Sequence, residues 1–160
     1  MFTYGLLGQK VAMSGLGDYW QASGAARRDL PERRLFSRGS TIFKQGEQGE
    51  CAYILESGEV QIFKMINGRR VILGQVQKWG LFGEMALIDS SCRMATAYVT
   101  ADATCAILHK DAFSRLLDGA PDGMLLVVES LTRTLRASGD NLAEARYRIM
   151  ELERESASAD

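Results

Sequence analysis

The chain has 160 residues, of which 46% are hydrophobic and 24% are charged, and its formal net charge at pH 7 is −1. This length supports one compact domain with a modest core, and this composition excludes wholesale disorder. The near-zero charge gives no general reason to expect a nucleic acid as partner, and no apolar run approaches the roughly 20 residues that cross a bilayer, so we expect a cytoplasmic globular protein.

Residues 1–32 are rich in glycine and show no strong periodicity beyond a possible short helix at 18–26. The start of this segment has no basic region ahead of its short apolar stretch, so a secretory signal peptide is not expected. We predict a flexible N-terminal arm over 1–32 and assign it no function.

The stretch from 33 to 110 alternates short runs of β-favouring residues with glycine-containing turns. Strands are predicted at 33–36, 41–43, 51–56, 59–65, 70–75, 94–100 and 103–109. The Asn67-Gly68 pair between two of these runs is the strongest hairpin signal in the chain. Many short strands at this spacing indicate a sandwich or a rolled barrel.

One segment, residues 82–96, combines groups that suit a phosphate next to a sugar. Gly83 lets the backbone approach a ligand closely, and the residues that follow favour a short helix whose first amides face an anion. Arg93 offers a planar set of donors that matches phosphate oxygens, and Glu84 offers acceptors for a sugar hydroxyl. The candidate ligand-binding residues of this segment are Gly83, Glu84, Met85, Ala86, Arg93 and Met94.

Each part of this segment has a simpler interpretation when it is taken alone. A glycine followed by Glu84 is usually a turn with a carboxylate in the first turn of a helix, and a single arginine is usually solvated. The complete pattern, with Arg93 nine residues after Glu84, is much rarer. Its spacing therefore favours a binding site.

The segment 82–96 resembles the phosphate-binding cassette of the cyclic nucleotide-binding domain family, which includes the kinase A regulatory subunits and the bacterial catabolite activator protein. The resemblance implies that Glu84 binds the ribose 2′ hydroxyl and that Arg93 binds the cyclic phosphate. It also implies an eight-stranded β-roll over 33–120, a mainly β fold with a short phosphate-binding helix and C-terminal helices. Cys92 departs from the pattern, because many members have a proline there.

The same resemblance places Ile62, Leu73 and Val76 in the wall of a pocket for the base. These three residues also fit a plain core face, and both interpretations hold if the pocket wall is part of the core. A rolled barrel is also the fold of metal-dependent cupins, but those enzymes need several histidines and His109 is the only histidine in the chain.

The three cysteines fit neither a disulfide framework nor a zinc site, because the set is odd and has no close pairs. The sequence also has no pairing of a nucleophile with a histidine and no P-loop lysine. We therefore predict no catalytic residues, no metal and no cofactor, so that the protein is not an enzyme.

After the predicted roll, the apolar pattern becomes helical, with a short helix at 111–118 and a second helix from Pro121. Apolar or small residues of the second helix recur at heptad spacing; this apolar seam consists of Val128, Leu131, Leu135, Ser138, Leu142, Ala145, Ile149 and Leu152. Gly139 weakens the pattern, so the sequence leaves open whether the helix is continuous or split there. The seam packs either on the roll or in a parallel homodimer through 124–152, and we favour the dimer because the helix outruns a small domain.

Two details of the resemblance bear on the choice of nucleotide. An ungapped alignment places Ser138 where the catabolite activator protein has a threonine that contacts adenine. Met94 stands where kinase family members carry a threonine that holds the guanine amino group. The resemblance therefore implies cyclic AMP (cAMP) as the ligand, with cyclic GMP (cGMP) less favoured.

Together these interpretations divide the chain into an arm at 1–32, a roll at 33–120, a lid or dimerisation helix or helix pair at 121–155, and a tail at 156–160. We predict a stand-alone cAMP sensor that passes its signal through the C-terminal helices to an unidentified effector protein. Eight residues after Leu152 are too few to bind a major groove, so no direct contact with nucleic acid is expected. The alternative is a β-roll scaffold that binds no nucleotide in the cell.

Overall fold

The computed structural model describes residues 3–4, 10–11, 32–117 and 120–157. Most of the predicted arm, with its possible helix at 18–26, lies outside the described residues. Two short strands at the start of the chain, β1 (Thr3–Tyr4) and β2 (Lys10–Val11), pair antiparallel with each other.

The larger sheet consists of six strands. These are β3 (Glu32–Phe36), β4 (Thr41–Phe43), β5 (Cys51–Ile66), β6 (Arg69–Gln75), β7 (Leu81–Phe82) and β8 (Thr96–His109). All pairings are antiparallel, with the order β3-β8-β5-β6, while β4 pairs with β8 and β7 pairs with β5. A mainly β fold of the roll type, followed by helices, is thus confirmed.

Two long strands explain why the described part of the chain shows six strands in this sheet and not the eight that were predicted. Each of β5 and β8 covers two of the predicted strands. The register between them shifts near Gly58, which has a φ of +87°. A side chain at Gly58 would overlap the carbonyl of Asp102, so glycine allows the strand to continue through an irregularity where the sequence indicates a turn.

The predicted hairpin at Asn67-Gly68 is present between β5 and β6. Both residues have positive φ, 48° and 77°, which a type I′ turn requires, and the flanking residues Ile66 and Arg69 are partners in the ladder. This turn fixes the register of β6, whose last residues lead into the candidate site.

The core lies between the two layers of the roll. Its buried residues are Phe43, Tyr53, Leu55, Val60, Phe82, Ala97, Val99, Ala103, Cys105 and Ile107. The rings of Tyr53 and Phe82 stack with centroids 5.4 Å apart, and the rings of Phe43 and Tyr53 stack at 5.8 Å. Phe43 and Phe82 belong both to this core and to the wall of the cavity described below.

The helices are α1 (Met85–Ile88), α2 (Lys110–Leu117) and α3 (Asp122–Ala157). The last helix is continuous through Gly139 and contains 36 residues, so it is about 54 Å long. None of the described helices has both the length and the apolar content that are needed to cross a membrane.

α3 packs on the roll mainly with a face other than the apolar seam. Thr132 and Ala143 are buried in this contact, and ion pairs join Lys64 to Asp140 and Arg69 to Glu151. The large residues of the seam instead remain exposed: Leu131 (58%), Leu135 (59%), Leu142 (42%), Ile149 (53%) and Leu152 (65%). Most of the seam therefore does not pack back on the roll, where Thr132, Gly139 and Ala143 of another face lie; Ile149 of the seam lies beside β6 but stays 53% exposed.

Candidate functional site

A cavity of about 400 Å³ opens between the roll and α1, and it collects most of the predicted site residues. Eight of the ten line it: Ile62, Val76, Gly83, Glu84, Met85, Ala86, Arg93 and Met94. Its walls are mainly apolar, and its charged side chains are those of Glu84 and Arg93. An apolar cavity with a few convergent polar groups is the usual form of a small-molecule site.

Arg93 is almost completely buried, with 5% of its surface exposed. The loop that carries it is held by its backbone, since Arg93 N donates to the carbonyl of Glu47 at 2.8 Å. Its guanidinium donates through Nη2 to the carbonyl of Cys51 at 2.6 Å and through Nη1 to the carbonyl of Gly83. The same group lies over the ring of Phe43, with Cζ 4.2 Å from the centroid. The head group therefore has a fixed position in the cavity wall.

The charge of Arg93 has no carboxylate partner among the described residues. Its Nε is buried and makes no hydrogen bond within the same part of the chain. Since a buried cation is costly unless it is paired and hydrogen-bonded, this arrangement favours an anion from outside the chain.

Glu84 precedes α1 and accepts with its backbone carbonyl from the amides of Leu87 and Ile88, at 2.9 and 3.1 Å. Its side chain makes no capping bond to the helix. Burial raises the pKa of the Glu84 carboxyl, and its own backbone amide and the charges of Arg93 and Arg136 offset only part of that rise. A carboxyl in this position is free to bond to a hydroxyl of a ligand.

Two glycines make room for Arg93. Gly83 has a φ of +78°, and a Cβ there would lie 2.7 Å from Nη1 of Arg93. A Cβ at Gly49 would lie 2.6 Å from the Cβ of Ala86 and 3.1 Å from Cζ of Arg93. The sequence indicated only a turn at Gly49, because nothing in a single sequence shows what its backbone approaches.

We expect the substitution Gly49→Ala to destabilise the protein by about 1–3 kcal/mol, because the new methyl group overpacks the space between α1 and the Arg93 guanidinium. The free energy of unfolding in urea is the measurement. Gly74→Ala is the matched control, since a Cβ at Gly74 would meet nothing within 4 Å. Equal stabilities of the two variants would contradict this account of Gly49.

Two predicted site residues lie outside the cavity wall. Leu73 is in β6, where its carbonyl accepts from Nη1 of Arg146 at 3.1 Å, and the wall begins two residues later at Gln75. Ser138 is exposed on the seam side of α3. The helix instead meets the cassette through Gly139, whose Cβ position lies 2.5 Å from Cε of Met94. One residue along a helix is a rotation of about 100°, so the face that meets the roll excludes Ser138.

Several contributors to the site were not predicted from the sequence. The ring of Phe43 lies under Arg93, the carbonyl of Cys51 accepts from it, and Gln75 and Gln77 line the cavity. Phe43 and Cys51 read as ordinary strand residues, and the two glutamines carry no motif. Only the tertiary pairing of strands, of β4 with β8 and of β5 with β6 and β8, brings these groups to the cavity.

Comparison with known proteins agrees with this geometry. The family model described as the cyclic nucleotide-binding domain matches residues 33–120. Over 117 residues the chain is 37% identical to a cAMP-dependent protein kinase regulatory subunit of Mucor circinelloides f. lusitanicus, a match that covers 73% of this chain and 26% of that protein. Over 124 residues it is 32% identical to the Cyclic AMP receptor protein of Thermus thermophilus, which covers 74% of this chain and 57% of that one.

A solved structure is similar over a longer part of the chain. The EAL enzyme Bd1971 in its cAMP-bound form has a TM-score of 0.65 and 30% sequence identity, and the match covers 80% of this chain and 33% of that one. The chain thus spans about a quarter of the kinase regulatory subunit and less than two thirds of the receptor protein.

Proposed function

Because this chain belongs to the cyclic nucleotide-binding domain family, we propose that it is a sensor of cAMP. In this proposal Arg93 binds the cyclic phosphate and Glu84 binds the ribose 2′ hydroxyl. Ile62 and Val76 form part of the wall around the base.

The observation that carries the proposal is the unpaired charge of Arg93. Arg93 is 5% exposed, its Nε is buried and unbonded, and its guanidinium lies at an apolar cavity, bonded to the carbonyl of Gly83 two residues before α1. A cyclic phosphodiester brings one negative charge and two exocyclic oxygens, which suit such a donor set. The nearby carboxyl of Glu84 suits a sugar hydroxyl, and the apolar wall suits a purine.

The names of the relatives support a regulatory role rather than a catalytic one. They are a kinase regulatory subunit and a cAMP receptor protein. The EAL enzyme is matched over only 33% of its chain, in a structure described as the cAMP-bound form. By analogy, ligand binding in this chain orders the cassette and is passed through α3 to an effector protein in the cytoplasm. We also infer that α3 forms a homodimer through its exposed seam.

Calorimetric titration of the purified protein with cAMP tests the proposal, with 5′-AMP as the noncyclic control. Saturable binding of one cAMP per chain, and much weaker binding of 5′-AMP, is the expected result. If cAMP and cGMP both fail to bind, the alternative of a β-roll scaffold without nucleotide takes the place of the sensor.

We expect cAMP to bind roughly three- to tenfold more tightly than cGMP, which is the effect of about one neutral hydrogen bond. Met94 lines the cavity next to Arg93 and offers the guanine amino group no useful acceptor. A direct competition assay measures the ratio. The variant Met94→Thr should narrow the preference, whereas tighter binding of cGMP by the wild-type protein would contradict the prediction.

A further inference from the structure

One arginine of α3 contacts both ends of the loop that connects α1 to Arg93. Nη2 of Arg136 donates to Oδ1 of Asp89 at 2.9 Å, and Nε donates to the other oxygen of the same carboxylate. Nη1 donates to the backbone carbonyl of Cys92 at 3.1 Å. The side chains of Arg136 and Asp89 are only 17% and 11% exposed, so this is a largely buried, two-point ion pair.

Asp89 in turn organises the loop. It is the C-terminal cap of α1, and its Oδ1 accepts from the amide of Ser91 at 3.1 Å. Burial alone would raise the pKa of the Asp89 carboxyl, but the hydrogen bonds from Arg136 and Ser91 outweigh it and hold the pKa below its usual value. The loop also turns sharply at Ser90, whose φ is +52°. The carboxylate therefore stays charged and fixes the turn.

The two acceptors of Arg136 stand next to the ligand-binding groups. Asp89 ends the helix α1, which begins beside Glu84, and Cys92 immediately precedes Arg93. The other bonds of this loop are local or go to residues 46–48: Ser91 bonds to Asp89, the side chain of Gln48 bonds to Cys92, and the backbone of Arg93 bonds to Gly46 and Glu47. Arg136 is the residue of α3 that bridges the end of α1 and the residue before Arg93, and it belongs to the helix that carries the seam.

We propose that Arg136, through Asp89 and the Cys92 carbonyl, is a positioning residue that couples α3 to the cassette. This inference rests on the proposed binding of cAMP. Arg136 does not line the cavity, so it acts through the loop and through its charge near Glu84, and not by contact with the ligand. Because coupling between two elements is reciprocal, a ligand that fixes the loop must also fix α3, and loss of the pair must weaken both effects.

The variants Arg136→Ala and Asp89→Asn test the coupling. Each should weaken cAMP binding about tenfold, which is within the usual range of coupling between sites. The double variant should bind about as weakly as Arg136→Ala alone, because Asp89→Asn weakens an ion pair that Arg136→Ala already removes together with the bond to the Cys92 carbonyl. Arg136→Lys keeps the charge without the fork of donors, so its affinity should lie between those of the wild type and Arg136→Ala.

Arg133→Ala is the matched control, since this arginine is exposed on the preceding turn of α3 and makes no hydrogen bond or ion pair with other described residues. It should bind cAMP like the wild type. Hydrogen exchange of α3, with and without cAMP, is the second measurement. At saturating cAMP, the wild type and Arg133→Ala should gain protection in α3, and Arg136→Ala should not.

The outcomes separate this inference from the proposed function. If the wild type does not bind cAMP, the function proposed above fails. If the wild type binds but Arg136→Ala retains its affinity within twofold and its ligand-dependent protection of α3, the coupling fails and the function stands. The coupling would also be overturned if the losses of cAMP affinity in the two single variants added in full in the double variant. Full additivity would show that the two substitutions have independent structural effects. Circular dichroism confirms that each variant is folded.

Discussion

Replacing Arg93 with alanine should weaken cAMP binding by roughly thirty- to several-thousand-fold. The substitution leaves a phosphate anion facing only the amides at the start of α1, and truncating one side of such a buried charge pair typically costs about 2–5 kcal/mol. In this protein the guanidinium is already fixed by the carbonyls of Gly83 and Cys51 and by the ring of Phe43. The ligand therefore does not have to order it, and the whole contribution of the charge goes to binding.

Glu84→Gln should have a smaller effect. Glutamine keeps the shape of the side chain and one acceptor, so the loss should be about 1.5–3 kcal/mol, as for a hydrogen bond to a charged group. Because Glu84 is the group proposed to bind the ribose, its variant should also discriminate less against 2′-deoxy cAMP. The Arg93 variant should retain that discrimination. The two variants should thus differ in how they discriminate between cAMP and 2′-deoxy cAMP. A general loss of fold would not produce such a difference.

Calorimetric titration of both variants with cAMP and with 2′-deoxy cAMP is the measurement, and circular dichroism confirms the fold. Arg93→Lys is a useful third variant, because it keeps the charge but cannot reach both carbonyls and a phosphate with a planar fork. Its affinity should lie between those of the wild type and Arg93→Ala. If Arg93→Ala binds cAMP like the wild type, the assignment of the cassette is wrong, and the proposed function with it.

The positions that were predicted well from the sequence are those where a local rule applies. Asn67-Gly68 required a tight hairpin because only such a pair accepts two positive φ values readily, and the structure has that turn. Gly83, Glu84 and Arg93 lie within a dozen residues of each other, so their spacing indicated one site, and all three line one cavity, while their roles in binding stay a prediction. The pattern of the seam was also local: it indicated helix over 128–152 but left open a break at Gly139, and the structure has one continuous helix there.

The features that escaped prediction depend on contacts between distant segments. Asp89 and Arg136 are 47 residues apart in the chain, and nothing local shows that they meet. Ser138 and Gly139 differ by one residue, and only the packing of α3 on the roll decides that Gly139 faces Met94. At Gly58 the local rule was misleading, since the glycine permits a continuous strand and does not end one.

The second large effect is expected at the seam of α3, where charged substitutions should abolish the proposed homodimer. Leu135 and Leu142 occupy equivalent positions one heptad apart, and they are 59% and 42% exposed in the single chain. In a parallel pair of helices each would be buried against its counterpart. The double variant Leu135→Glu/Leu142→Glu would bury unpaired charges there, which should cost several kcal/mol of association energy.

Sedimentation equilibrium at several protein concentrations measures this effect. The exposure of both leucines makes the experiment selective, because a charge at an exposed helix position should change the stability of the single chain by only about 0.5 kcal/mol. The matched control is Ser130→Glu/Ala137→Glu, which adds the same charge at two exposed positions one heptad apart on another face of α3. This control should remain dimeric.

The result also decides how the ligand could act on a partner. α3 contacts the cassette through Arg136 and exposes the seam on another face. In a dimer, the same helix would therefore contact both the nucleotide-binding cassette and the second chain. In that case the seam variant should be monomeric, folded and still able to bind cAMP, because none of its substituted residues lines the cavity. If the wild-type protein stays monomeric at all concentrations, with and without cAMP, the dimer proposal is wrong. The exposed seam would then be expected to bind a different protein.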